Sequence, residues 1–132
     1  MELLTTSLQK YLLTIYELHL TNKTVHQIDV ALKLGYSKAS VSRAIHLLKE
    51  KGYLIIQQKQ LILTNHGEKE VQQFYTNYQL FYQMLLKHEF TQQEAQYYSL
   101  KVIEAVDNQF LQKINTYHQK NHIYNDLPSH GK

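Results

Sequence analysis

The twenty residues 27–46, QIDVALKLGYSKASVSRAIH, decide how the chain folds. They read as two helices hinged at one glycine. Upstream, Ile28, Val30, Ala31 and Leu34 recur at helical spacing, over about 26–34. Gly35 ends that run, because glycine accepts a left-handed backbone at little cost. Ser37 then caps a longer helix reaching about Lys51, with Val41, Ala44, Ile45 and Leu48 on one stripe, and Gly52 stops it. With Gln27 as position one, Ala31 is fifth, Gly35 ninth and Val41 fifteenth. Two crossing helices need a small residue at their contact, a glycine in the turn and an apolar residue seating the second helix, and these positions supply all three. Val30, Leu34 and Tyr36 fill the remaining apolar slots. The pattern is that of a helix-turn-helix.

The flanks extend it. In YLIIQQKQLILT, residues 53–64, two apolar runs enclose the polar tip Gln57-Gln58-Lys59-Gln60. This predicts a hairpin of wing length, though without the Asn-Gly or Asp-Gly of a tight turn. Asn65-His66-Gly67 is read as closing the unit. Before the motif, Leu8, Tyr11, Leu12, Ile15 and Leu18 predict a helix over about 7–19, followed by a polar turn at 21–23. After it only helix is expected. One runs over about 68–87, with Val71, Phe74, Tyr75, Tyr78, Phe81, Tyr82 and Leu85 along a face. A second starts at a Thr91–Glu94 capping box, and a third runs from about 108 to 119. The expected fold is mainly α: a winged helix-turn-helix over 1–66, a helical domain over 67–120 and a loosely ordered tail over 121–132.

Composition narrows the function. The 132 residues are 43% hydrophobic and 19% charged, which suits a packed core. The absence of cysteine excludes disulfides, thiolate metal sites and a cysteine nucleophile. No apolar run is long enough to span a membrane, and the N-terminus does not read as a signal peptide, so a cytoplasmic location is expected. Net charge is +3, unevenly distributed: residues 1–66 carry eight Lys/Arg against four Asp/Glu, and 67–132 carry six against seven. A basic first half fits a polyanion.

Double-stranded DNA is the expected partner. The second helix of the motif enters the major groove with its N-terminal half. Its outward residues are Ser37, Lys38, Ala39, Ser42, Arg43 and His46. Arg43, the only arginine, can grip guanine O6 and N7 with two parallel bonds and is expected to read a base. Lys38, Ser37 and Thr24 are expected on phosphates, with Lys59 at the wing tip reaching backbone or minor groove. No glycine-rich phosphate loop, nucleophile elbow or carboxylate pair with a histidine partner is present, so no enzyme is expected. His118 and His122 are four apart, as zinc ligands can be, but no third donor has a matching spacing. His19, His26 and His46 are expected at the surface. The eleven tyrosines, among them Tyr75, Tyr78 and Tyr82 on one face and Tyr97 and Tyr98 on the next helix, suit core edges and an interface. The alternative is an aromatic pocket for a small effector.

With these residues in place, the chain resembles the manganese-regulator branch of the diphtheria toxin repressor family. SLQKYLLTIYEL resembles the first helix of that family, ALKLGYSKASVSRAIHLLKEKGYL its helix-turn-helix, QQKQLILTNHGEKE its wing and following helix, and VIEAVDNQFLQKI a later helical segment. The similarity covers about 6–117. The resemblance implies a metal-sensing repressor that dimerises through the helices after the wing, and so a homodimer here. It does not extend to the ligands. The positions corresponding to the family's metal ligands hold Lys10, Leu13, Tyr78, Leu100, Ile103 and Glu104. Manganese or iron needs several carboxylate or imidazole donors, so no metal cofactor is expected. A Lys10–Glu104 salt bridge is expected in its place, the ammonium supplying the lost positive charge. The functional expectation is a homodimeric, sequence-specific transcriptional repressor without metal activation. The alternative is an interaction protein that disables a related regulator.

Overall fold

The computed structural model describes residues 6–125, with side chains from 7 to 120. Six helices and one hairpin follow in the order α1 (Thr6–Thr21), α2 (Gln27–Leu34), α3 (Lys38–Glu50), β1 (Leu54–Gln57), β2 (Gln60–Leu63), α4 (Asn65–Lys87), α5 (Gln92–Ala105) and α6 (Asn108–Asn125). The fold is mainly helical with a two-stranded wing, as the periodicity requires. The chain divides into two compact units, with the boundary inside α4 between Tyr75 and Thr76.

In the first unit α1, α2 and α3 pack on one another and α3 meets β1. The stripe Val41, Ala44, Ile45 and Leu48 of α3 is buried, with Leu12 and Ile15 of α1 and Val30 and Ala31 of α2. Burying one leucine or isoleucine side chain of this kind contributes about 1.5–3 kcal/mol. Gly35 is left-handed, with φ 70°, and its N–H and that of Tyr36 both donate to the Ala31 carbonyl, at 2.8 and 3.2 Å. Ile28, counted with the apolar set of α2, is exposed in the first turn of that helix.

The wing closes through a two-residue turn, with Leu54 opposite Leu63 and Gln57 opposite Gln60. Gln58 and Lys59 both sit in the left-handed region, with φ 50° and 67°. The chain thus makes the tight, right-twisting connection without the asparagine or glycine that usually supplies it. Val25 and His26 run alongside β2: the Leu61 N–H donates to the Val25 carbonyl at 2.7 Å, and His26 bridges Gln60. The Leu61 carbonyl is bonded in turn to His19 Nε2 at 2.7 Å.

Asn65-His66-Gly67 is not a loop but the first turn of α4. Thr64 precedes it. Its Oγ1 accepts from the Gly67 N–H at 3.0 Å and its hydroxyl donates to the Gly52 carbonyl at 2.6 Å, so one side chain ties the wing exit to the helix. A Cβ on Gly67 would lie 1.9 Å from the Tyr53 carbonyl oxygen, so only glycine fits.

In the second unit α5 begins at the expected capping box. Thr91 Oγ1 accepts from Glu94 N–H at 3.1 Å, and Glu94 Oε1 accepts from Thr91 N–H at 3.0 Å. Asp107 caps α6 through the Phe110 N–H at 2.9 Å. Tyr78, Phe81, Ala95, Leu100, Ile103 and Leu111 are buried. The Asn115 side-chain amide donates to Asn77 Oδ1, joining α6 to α4. Helix α6 continues six residues past its expected end at 119, and the rest of the tail, 126–132, lies outside the described residues.

Candidate nucleic-acid interface

The site is built on α3. Its buried stripe leaves the opposite side of the helix outward, and Lys38, Ala39, Ser42, Arg43 and His46 are all exposed there, with Ser37 exposed at the N-cap. Ala39, Ser42, Arg43 and His46 follow the spacing of one helix face. The first turn is ordered by a short relay. Ser37 Oγ accepts from the Ser40 N–H and donates to Ser40 Oγ, each at 3.1 Å, and Ser40 Oγ also accepts from Arg43 Nη2 at 3.5 Å. Arg43 is held at one corner of its fork, close to the helix it projects from. His46 Nε2 lies 3.1 Å from Glu50 Oε2, one turn on, so its ring carries a carboxylate neighbour at the far end of the exposed face.

Thr24 is exposed just before the Val25–His26 stretch that borders the wing. Lys59 is exposed at the wing tip, carried there by the left-handed turn. Between α2 and the wing, His26, Gln27, Ile28, Ile56 and Lys59 line an open groove of about 450 Å³. The unit therefore presents α3, the start of α2 and the wing tip as a surface with lysines at its edges.

Three residues do more than their sequence context indicated. Tyr36, expected as an apolar filler, is 39% exposed. Its hydroxyl accepts from Lys10 Nζ at 2.7 Å, and its ring meets that of Tyr11 edge-on at 5.8 Å. The pKa of the buried Tyr11 hydroxyl is raised, first by burial and then by neighbouring Tyr36, against the opposing pull of the Arg43 guanidinium. His19 is not a free surface residue but bonds the wing. His26 stands at the N-cap of α2, its backbone N–H donating to Asp29 Oδ2 at 2.8 Å and its carbonyl accepting from the Asp29 N–H at 3.0 Å. Sequence spacing could not reveal the partners of Tyr36 and His19, which lie 26 and 42 positions away.

The positions aligned with metal ligands in the family do not fit a manganese or iron site. Leu13, Tyr78, Leu100 and Ile103 are buried apolar or aromatic side chains. Lys10 belongs to the first unit, where it bonds Tyr36, and Glu104 to the second, where it lies 3.9 Å from Lys101 Nζ. Among the described residues no three His, Cys, Asp or Glu side chains gather into a metal-holding group. His118 packs edge-on against Tyr117, and the His122 side chain lies outside those described. No helix among the described residues is long and apolar enough to cross a membrane.

Residues 3–61 match the family model described as the iron dependent repressor N-terminal DNA binding domain. No curated protein matches the sequence. Among solved structures, the hypothetical protein SSo2273 from Sulfolobus solfataricus is 21% identical with a TM-score of 0.63, over 89% of this chain and 91% of that one. The manganese regulator SloR is 21% identical with a TM-score of 0.71, and ScaR with bound Zn2+ is 24% identical with a TM-score of 0.66. Each match takes in 85% of this chain and 53% of the other, so the chain spans about half the length of those two proteins. At these identities the likeness is one of fold. Residues 3–61 are thus similar to a DNA-binding domain of the iron dependent repressor type, and the chain shares its fold with the manganese regulator SloR.

Proposed function

From the DNA-binding domain at residues 3–61, we propose that the chain is a sequence-specific transcriptional repressor. It binds double-stranded DNA as a homodimer and needs no divalent metal. The observation that carries the reading is the exposed stripe Ala39–Ser42–Arg43–His46 on a helix whose opposite stripe is fully packed, with Lys38 at its start. Such a helix can lie in the major groove without disturbing its own core. Arg43 reads a base, Ser37, Lys38 and Thr24 hold phosphates, and Lys59 follows the backbone from the wing. Metal independence is supported by the chemistry at the family's ligand positions, where buried leucine, isoleucine and tyrosine offer manganese too few donors. A two-fold dimer implies a pseudo-palindromic site with half-sites about one helical turn, or a multiple of it, apart.

The test is selection of duplexes from a random pool by the full chain, followed by gel shifts with chelator and with added manganese. A single enriched motif whose shift is the same in both conditions is expected. Arg43→Ala should reduce discrimination at one base pair by about 1–3 kcal/mol. A shift that appears only with manganese would overturn metal independence. No enriched duplex in either condition would overturn DNA reading and leave the chain as an interaction protein that disables a relative.

A further inference from the structure

We propose that Lys10 and Tyr36 form a latch that positions the recognition helix, so that base reading by Arg43 depends on a bond made from α1. The inference rests on the DNA-binding reading above. Tyr36 stands at the one point where α2 has ended and α3 has not begun, between left-handed Gly35 and the N-cap Ser37. Its backbone is held from the α2 side by the bond to the Ala31 carbonyl. Its side chain is held from α1, by the Lys10 ammonium on its hydroxyl at 2.7 Å and by the edge of Tyr11 against its ring at 5.8 Å.

Burial alone does not fix this ring, since 39% of the residue remains exposed. A charge-assisted bond from a partly buried lysine then decides where the phenol rests. The consequences reach Arg43 along two short paths. One runs through the adjacent residue, Ser37, whose oxygen orders Ser40, which in turn holds the guanidinium. The other is electrostatic, for the Arg43 charge opposes the rise in the Tyr11 pKa. Lys10, Tyr11 and Tyr36 thus form one cluster spanning α1 and the turn, and Ser37 and Ser40 lead from it to Arg43 on α3. The Lys10 side chain spends its charge on a protein oxygen, which makes it a positioning residue rather than a phosphate ligand.

The experiment uses the full chain and the duplex it selects from a random pool, with an unrelated duplex of the same length as the non-specific probe. The variants are Tyr36→Phe, Lys10→Met, Arg43→Ala and the combinations with Arg43→Ala. All are compared well below their melting temperatures, with circular dichroism confirming the fold. Tyr36→Phe keeps the ring and removes only the oxygen. A latch predicts that Tyr36→Phe and Lys10→Met each weaken the selected duplex by about threefold to tenfold. Non-specific affinity and the slope of log K against log salt should stay at wild-type values. Neither variant should weaken binding further once Arg43 is alanine, an epistasis that a general loss of stability does not produce. The proposal is overturned if Tyr36→Phe binds like wild type. It is equally overturned if Lys10→Met lowers affinity for both duplexes and flattens the salt slope by about one unit, since Lys10 would then be a phosphate contact. If the wild-type chain enriches no duplex, the DNA reading fails first and the latch with it. Normal enrichment with indifferent variants removes the latch alone.

Discussion

Glu17 and Gly67 show how much a single position can carry. The Glu17 carboxyl is half-buried on α1, and its pKa is raised above the ordinary 4.5 mainly by that burial, with Lys33 pulling the other way. A carboxyl whose pKa is higher folded than unfolded binds its proton more readily in the folded state. It favours folding while protonated, and that contribution is lost as pH rises from the ordinary value through the raised one. Glu17→Gln should therefore raise the melting temperature at neutral pH, and the gap from wild type should close below about pH 4, where both states of the wild type are protonated. Equal melting curves at pH 7 would show that Lys33 offsets the burial. Gly67 is constrained by space. With a Cβ meeting the Tyr53 carbonyl at 1.9 Å, Gly67→Ala has to move the wing exit or the start of α4. A loss of about 2–3 kcal/mol in denaturant unfolding is expected. The sequence marked Gly67 as a turn residue; its real reason, a backbone passing overhead, is tertiary.

Among the elements, the wing carries two strained residues side by side. Its two turn residues, Gln58 and Lys59, adopt left-handed backbone that costs ordinary side chains roughly 1 kcal/mol or more apiece. Gln58→Asn with Lys59→Gly should raise thermal stability by about 1 kcal/mol. If Lys59 meets phosphate, the same double variant should also flatten the salt dependence of DNA binding by about one unit. A stabilised wing with an unchanged slope would remove Lys59 from the interface. The strain is tolerated because the other side of the hairpin is tied down, through Leu61 to Val25 and His19 and through Thr64 to Gly52. Helices were more legible than the wing. The α3 stripe, the Thr91–Glu94 box and the long apolar face of α4 are all local patterns, and the structure reproduces each. The hairpin was legible as two apolar runs, while its turn type was not, since the flanking pairing imposes it.

Across the whole molecule, charge divides between the two halves of the sequence. The basic first half carries the segment that matches the iron dependent repressor DNA-binding domain. The second unit leaves large aromatics exposed, with Tyr97 at 50%, Tyr98 at 48% and Phe110 at 43%. Phe90, Tyr98 and Tyr97 stack edge to face along one stretch, and Lys101 stands over the Tyr97 ring at 5.7 Å. Tyrosines placed this way suit an interface that must also tolerate water. Sedimentation should accordingly find a species of twice the 15.7 kDa chain at micromolar concentration, and Tyr97→Glu with Tyr98→Glu should shift it toward the single chain. A wild-type chain that stays single under those conditions would rule out the homodimer.

The sequence by itself determined the helix-turn-helix, its glycine hinge, the outward residues of α3 and the order of the helices. These follow from spacing and local backbone preference, which act over a few residues and can be read along the chain. The tertiary structure alone decided that Tyr36 is held by Lys10, that His19 secures the wing, and that Gly67 admits no side chain. Each of these depends on atoms brought together from distant positions, where hydrogen-bond reach and excluded volume, rather than periodicity, set the outcome.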